Sequence, residues 1–384
     1  MNDAFPRGQT AIVGAATFGM GESPGLSTFD LAAHASVRAL AQAGLTPRDV
    51  DGIFVVVMDE TMAGLNFAEY LGVQPRFSDN CRTGGSSFQI HASIAALALA
   101  AGQCDVALIA YGSNQRSATG KLASSARGSP WEAPYKPLRP ISAYALAAAR
   151  HMHQYGTTKE QLGEVAIAAR QWAQRNPDAF MRDPLSMEEY LKARLVCDPV
   201  GIRDCCLVTD GAAAVVMVRA DRARDLCKRP AYLLGAAAET THREIASMPD
   251  LTVTGLANAS RRAFAQARVK PSDIDVVELY DAFTINTILF LEDMGFCPKG
   301  EGGRFVAGGT IAPGGKLAVN TNGGGLSCTH PGMYGLFTMV EAAQQLMQTA
   351  AERQIPNANL AISQGNGGEL SSEAILILGS GDTL

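Results

Sequence analysis

Short unbroken apolar runs alternate along this chain with longer stretches whose apolar positions recur every three or four residues. The runs are Ile12–Ala16, Ile53–Val57, Asp105–Tyr111 and Ala213–Val218, then Leu233–Ala237, Val276–Tyr280, Asn359–Ser363 and Ala374–Leu378. Runs of this length with turn residues around them read as buried strands. The helical stretches include 35–43, Phe88–Ala101, 141–155, 159–175, 259–267 and Met333–Met347. Strand and helix in alternation predict βαβ units and an α/β fold.

The pattern also repeats. Residues 35–54 read ASVRALAQAGLTPRDVDGIF and residues 259–278 read ASRRAFAQARVKPSDIDVVE, with ten of twenty positions identical at a constant offset of 224. Each copy follows a short apolar run and precedes another, which gives strand, loop, amphipathic helix, Pro-containing turn and strand twice over. The halves continue in parallel: a Gly/Ser loop (Thr83–Ser87) opens one Ala-rich helix, and a Gly-rich loop (Asn320–Gly332) opens its counterpart. We therefore expect duplicated βαβ halves, with residues 1–113 and 205–230 in the first half and 231–384 in the second. Residues 114–204 form an inserted loop domain.

Composition narrows the function. Of 384 residues, 47% are apolar and 18% charged, with a net charge of −5, enough apolar surface for a large core. No run of five basic residues is present, which argues against nucleic acid or an anionic membrane as partner. No apolar stretch reaches the ~18–20 residues of a bilayer span, and the first residues lack the pattern of a secretory signal, so a cytoplasmic protein is expected. The eight cysteines contain no CxxC pair and read as small core residues, with no metal site. His151 and His153, two apart on a helix, face different directions and make a poor metal pair, and His91 reads as a core residue. Neither a phosphate loop nor a dinucleotide fingerprint occurs among the 39 glycines.

Three stretches carry a family resemblance: Thr209-Asp210-Gly211-Ala212-Ala213-Ala214-Val215-Val216; Asn320-Thr321-Asn322-Gly323-Gly324-Gly325 followed by Thr329-His330-Pro331-Gly332; and Glu278-Leu279-Tyr280-Asp281-Ala282-Phe283. In this order the chain resembles the thiolase superfamily, above all the sterol-carrier-protein thiolases and the lipid-transfer-protein-type aldolases. The resemblance implies a five-layered αβαβα fold, a homodimer, acyl-CoA as substrate and no tightly bound cofactor. It also implies, as an option, a zinc-ribbon/OB-fold partner protein that completes the acyl-CoA site.

The chain departs from thiolases where their chemistry resides. Counting back from Gly102, the nucleophilic Cys position falls on Gly85, beside Ser86 and Ser87, and Cys81 lies four residues too early. The C-terminal C-x-G stretch is Gln364-Gly365-Asn366-Gly367-Gly368, and Tyr280 replaces the Asn or His of the family motif. Backbone N–H groups at Ser86 and at Gly367–Gly368 are then expected to form an oxyanion hole for the thioester oxygen. Ser86 and Ser87 are also expected to cap the helix.

Tyr280 is the expected proton carrier of a retro-aldol cleavage, given a lowered phenol pKa. His330 is the expected second acid/base, with Tyr334 the weaker candidate. Acyl transfer through Cys81 or Ser86, and acyl-CoA or lipid binding without catalysis, remain alternatives. Arg170, Arg175 or Lys121 are candidates to meet the CoA phosphates.

Overall fold

Each copy of the repeated segment ties down the same polar groups in the same way. The computed structural model describes residues 5–121 and 130–384. In the first copy, Asp51 Oδ1 accepts hydrogen bonds from the Asp105 and Val106 N–H groups, both at 2.8 Å. In the second, Asp275 Oδ2 accepts from Asn359 and Leu360 N–H at 2.8 and 2.9 Å. Gln42 accepts from Ala15 N–H at 2.8 Å, and Gln266 accepts from Ala236 N–H at 2.8 Å. A β-carbon at Gly14 would lie 2.0 Å from the Ala39 oxygen, and one at Gly235 2.4 Å from the Ala263 oxygen. Each glycine lets its strand touch the backbone of its helix.

The described residues hold twelve strands in chain order: β1 (Thr10–Gly21), β2 (Gly52–Val55), β3 (Phe77–Asp79), β4 (Val106–Ser113), β5 (Leu195–Cys197), β6 (Val200–Gly201), β7 (Asp210–Arg219), β8 (Ala231–Thr240), β9 (Val276–Glu278), β10 (Ala318–Val319), β11 (Leu360–Gly367) and β12 (Ser372–Gly379). Ten of them form one mixed sheet in the order β3-β2-β4-β7-β1-β8-β12-β11-β9-β10. Read outward from the central β1–β8 pair, both sides give the same order and the same mixture of parallel and antiparallel neighbours. This symmetry is what the sequence repeat predicts.

The helices complete the layers. Thr28–Gln42 packs on β1, β4 and β7, and Leu256–Ala267 packs on β8 and β12. Between the halves, Ser87–Ala100 and Gly335–Met347 touch each other and strands of both sides. Position explains burial: twelve of the thirteen residues of Gly335–Met347 are buried, against seven of fifteen in Thr28–Gln42.

The segment joining β4 to β7 carries helices Ile141–Tyr155, Lys159–Ala173 and Met187–Leu191 and the β5–β6 hairpin. Asp210, at the start of β7, accepts from the Ser23 and Arg116 N–H groups at 2.8 Å each. Buried Asp204 accepts from Gly201 N–H and the Thr284 hydroxyl at 2.7 Å each, and also holds Tyr190 and Lys159. Helix Thr284–Asp293, to which the segment is thereby tied, is buried on all ten residues. A helix without a polar face gives no amphipathic signal, so periodicity does not reveal it. Cysteine placement corrects one expectation, since Cys104, Cys297 and Cys328 are buried but Cys81 is exposed. Among the described residues no helix is long and apolar enough to cross a membrane.

Candidate active site

Tyr280 stands two residues beyond the end of β9, where the short strand delivers it to the interface between the halves. Its ring meets His330 edge-on at 5.5 Å and Tyr334 edge-on at 5.9 Å, measured between ring centroids. From the other half, Gly85 lies against the same ring: a β-carbon there would fall 1.9 Å from Tyr280 Cε2. The phenol ring thus fills the space that any side chain at position 85 would need. Tyr280 N–H donates to Gln364 at 3.0 Å, and its hydroxyl donates to the Gly332 carbonyl at 3.3 Å.

His330 is buried, and neither ring nitrogen has a hydrogen-bond partner. Burial holds its pKa down to about 4, so the imidazole is neutral at pH 7 and one nitrogen is a free acceptor. Its backbone is fixed, with N–H donating to Thr209 at 2.9 Å and C=O accepting from Gln115 at 2.8 Å. A buried polar ring with both ends unfilled is where a ligand or water belongs. Tyr334, also buried, spends its hydroxyl on Asn322 at 2.9 Å.

The two glycine loops meet beside this group. A β-carbon at Gly84 would lie 2.8 Å from Gly367 Cα and 3.1 Å from the Gly368 nitrogen. The Thr83–Ser86 turn and the β11–β12 hairpin therefore share one edge of the site.

Several expectations need correction. Burial raises the Tyr280 pKa well above 10, with Cys206 and Tyr144 adding to the shift, so the phenol is a proton donor and not a ready base. Ser86 is fully buried and its hydroxyl is bonded to Thr83 and to Ser372, the latter at 3.0 Å, which leaves no free nucleophile. Neither serine caps the helix: Ser86 has no capping hydrogen bond, and Ser87 accepts from Thr83 N–H and donates to the Gly84 carbonyl. Cys81 is exposed, and partial desolvation and Asp79 raise its thiol pKa.

Arg170 is only 4% exposed, and its guanidinium bonds to Ser327 and to the Asp183 carbonyl, so it is not a surface phosphate ligand. Arg175 is exposed with its guanidinium over the Trp172 ring, and Lys121 is exposed.

The fold also brings up residues that the sequence did not single out for chemistry. Tyr144, from the inserted segment, donates to the Gly368 carbonyl at 3.2 Å and accepts from Asn366 at 2.9 Å. Cys206 lies near Tyr280 and Asp281, and burial raises its thiol pKa well above the ordinary value. Asp281 accepts from Gly325 N–H at 2.6 Å, and burial pushes its pKa up to about 7. A small cleft of about 30 Å³ lies between the inserted segment and the Gly-rich loop, lined by Arg170, Arg203, Cys205, Leu207, Leu326 and Ser327 among others.

Residues 237–380 match the thiolase C-terminal domain-like family. The chain is 33% identical to the 17-hydroxy-3-oxo-4-pregnene-20-carboxyl-CoA lyase of Mycobacterium tuberculosis, over 97% of this chain and 99% of the relative. The chain belongs to the thiolase superfamily. It is also 32% identical to an acetyl-CoA acetyltransferase of Methanothermobacter thermautotrophicus, covering 96% of this chain and 98% of that one. Among solved structures, the Ltp2-ChsH2(DUF35) aldolase superposes with a TM-score of 0.89 at 31% identity, over 97% of this chain and 98% of that one. The family thus holds both lyases and acyltransferases near this chain, and the site geometry bears on the choice between them.

Proposed function

We propose that this thiolase-superfamily enzyme cleaves the Cα–Cβ bond of a 3-hydroxyacyl-CoA by a retro-aldol reaction, without a covalent acyl-enzyme. The observation that carries this reading is the Gly85–Tyr280 contact. The position expected to hold a thiolase nucleophile has no side chain, and a tyrosine ring occupies the space. No cysteine takes its place: every cysteine with a displaced pKa is displaced upward, Cys206 beside Tyr280 included. A thiol held protonated is a weak acyl acceptor.

The neutral His330 imidazole takes the proton of the 3-hydroxyl group. The Cα–Cβ bond then breaks, its electron pair moves onto Cα and the thioester oxygen, and an aldehyde or ketone leaves. Backbone N–H groups at Ser86 and Gly367–Gly368 stabilise the resulting enolate oxygen, a contribution of about 3 kcal/mol per donor in well-studied cases. Tyr280, protonated and in ring contact with His330, gives a proton to Cα and regains one from the His330 imidazolium, which restores both groups as the shortened acyl-CoA departs. CoA enters as part of the substrate. The similarity to the 17-hydroxy-3-oxo-4-pregnene-20-carboxyl-CoA lyase supports a steroid acyl group, with an aromatic one as the alternative.

The assembly follows from the same reading. Edge strand β3 has one free side, next to helix Ala63–Leu71 with Met62 and Leu65 exposed, which supports a homodimer. The Ltp2-ChsH2(DUF35) aldolase supports a partner subunit, here taken to be of the zinc-ribbon/OB-fold kind that the family resemblance implies. Free cysteines throughout the described residues fit a reducing, cytoplasmic setting.

The test is turnover of a 3-hydroxyacyl-CoA by the chain with its partner subunit. Tyr280→Phe and His330→Ala should each lower kcat by about 100-fold or more while the fold is kept. Undiminished cleavage by either variant would remove that residue from the mechanism.

A further inference from the structure

His330 follows a Gly-rich loop whose hold on the rest of the protein is unusual. Gly324–Cys328 is a single turn of π-helix, a form common at functional sites. From inside, Asp281 accepts the Gly325 N–H, and a β-carbon at Gly324 would lie 2.0 Å from the Asp281 carboxylate. From outside, the inserted segment grips the same turn. Phe180 N–H donates to the Cys328 carbonyl and Met181 N–H to the Ser327 carbonyl, both at 2.9 Å. Asn176 donates to the Asn322 carbonyl at 2.9 Å.

Arg170 sits at the centre of this outer grip. Its Nε donates to Ser327 Oγ at 3.0 Å, one terminal nitrogen to the Asp183 carbonyl at 2.8 Å, and the other to Met181 Sδ at 3.7 Å. The guanidinium is buried, yet among the described residues it has no ion pair; Arg203 lines the same cleft, and Asp183 and Glu189 are acidic neighbours. Burying an unpaired cation is costly, so the position needs a reason.

We infer that Arg170 is a positioning residue for His330: it fixes the Ser327 turn, and through it the imidazole, from the inserted segment. This rests on the role of His330 proposed above. It separates two uses of one arginine, since a CoA ligand would set substrate affinity and a loop clamp would set turnover. The imidazole is enclosed by Tyr280, Tyr334 and, across Gly325, Asp281. If the turn loosens, water reaches His330 and its pKa returns toward the ordinary ~6.5.

The experiment compares Arg170→Gln, Ser327→Ala and the double variant with the parent, in the full protein with its partner subunit and a 3-hydroxyacyl-CoA. The expected result is a fall in kcat of about tenfold or more with KM within about twofold, because misplacing a catalytic group chiefly slows chemistry. The acid limb of the kcat profile should move up by at least about one pH unit, toward the free imidazole value. The double variant should be no worse than the poorer single variant, since the two side chains act as one unit.

A raised KM at unchanged kcat would instead make Arg170 a CoA contact and overturn the inference. So would an unmoved pH profile. Should Arg170→Gln fail to fold, Ser327→Ala carries the same test alone. His330→Ala serves as the reference: if it still cleaves substrate, both readings fall, whereas an inactive His330→Ala beside a normal Arg170→Gln removes only this one.

Discussion

The two halves of the sheet share a frame and divide the proposed chemistry unequally. Asp51 and Asp275, Gln42 and Gln266, and Gly14 and Gly235 do the same work in the same places. Tyr280, His330 and Tyr334 all come from the second half, while the first contributes the bare backbone at Gly85. The connection closing each half differs as well. A short turn joins β11 to β12, whereas β4 and β7 are separated by the inserted segment that supplies Tyr144 and Arg170. Strand and helix interiors match between the halves and the loops at the strand ends do not, the usual division between packed scaffold and site-bearing loops.

That contrast can be broken at several points. The largest effect is expected from Gly85→Ala, whose new methyl group must displace the Tyr280 ring. Activity should fall by about 100-fold, the usual consequence of moving a catalytic group by an ångström. Full activity would mean that the Gly85–Tyr280 contact does not define the site.

Matched scaffold variants come next. Gly14→Ala and Gly235→Ala should each destabilise by about 1–3 kcal/mol, and by similar amounts, in denaturant unfolding. Gln42→Ala and Gln266→Ala should each cost about 1 kcal/mol. A large inequality within either pair would show that the halves are alike in shape but not in energetics.

The smallest effect is a pH dependence. Because His330 is held at about 4, the folded state binds fewer protons than the unfolded chain between that value and ~6.5. Its contribution to stability is therefore lost as pH falls through this window, and His330→Ala should flatten the acid side of a thermal-melting profile. An unchanged slope would place the imidazole in water.

The sequence shows the frame well, and the site in part. The repeat, the strand runs and the Tyr280 and His330 motifs are legible because they depend on local pattern and order. Helix Thr284–Asp293 is hidden by its complete burial, and Tyr144 and Cys206 carry no motif; only the tertiary fold brings them to Tyr280. Arg170 shows the opposite failure, since a basic residue reads as a surface charge until its burial is known. The direction of the Tyr280 shift likewise follows from desolvation, which spacing does not encode.

The central claim is that carbon–carbon cleavage here proceeds without an acyl-enzyme, and intact-protein mass spectrometry during turnover tests it most directly. With a 3-hydroxyacyl-CoA, we predict one equivalent each of shortened acyl-CoA and carbonyl product, and protein of unaltered mass at every time point. An acyl adduct that appears during turnover and maps to Cys81, Cys206 or Ser86 would contradict the account and return the enzyme to the acyltransferases of its family.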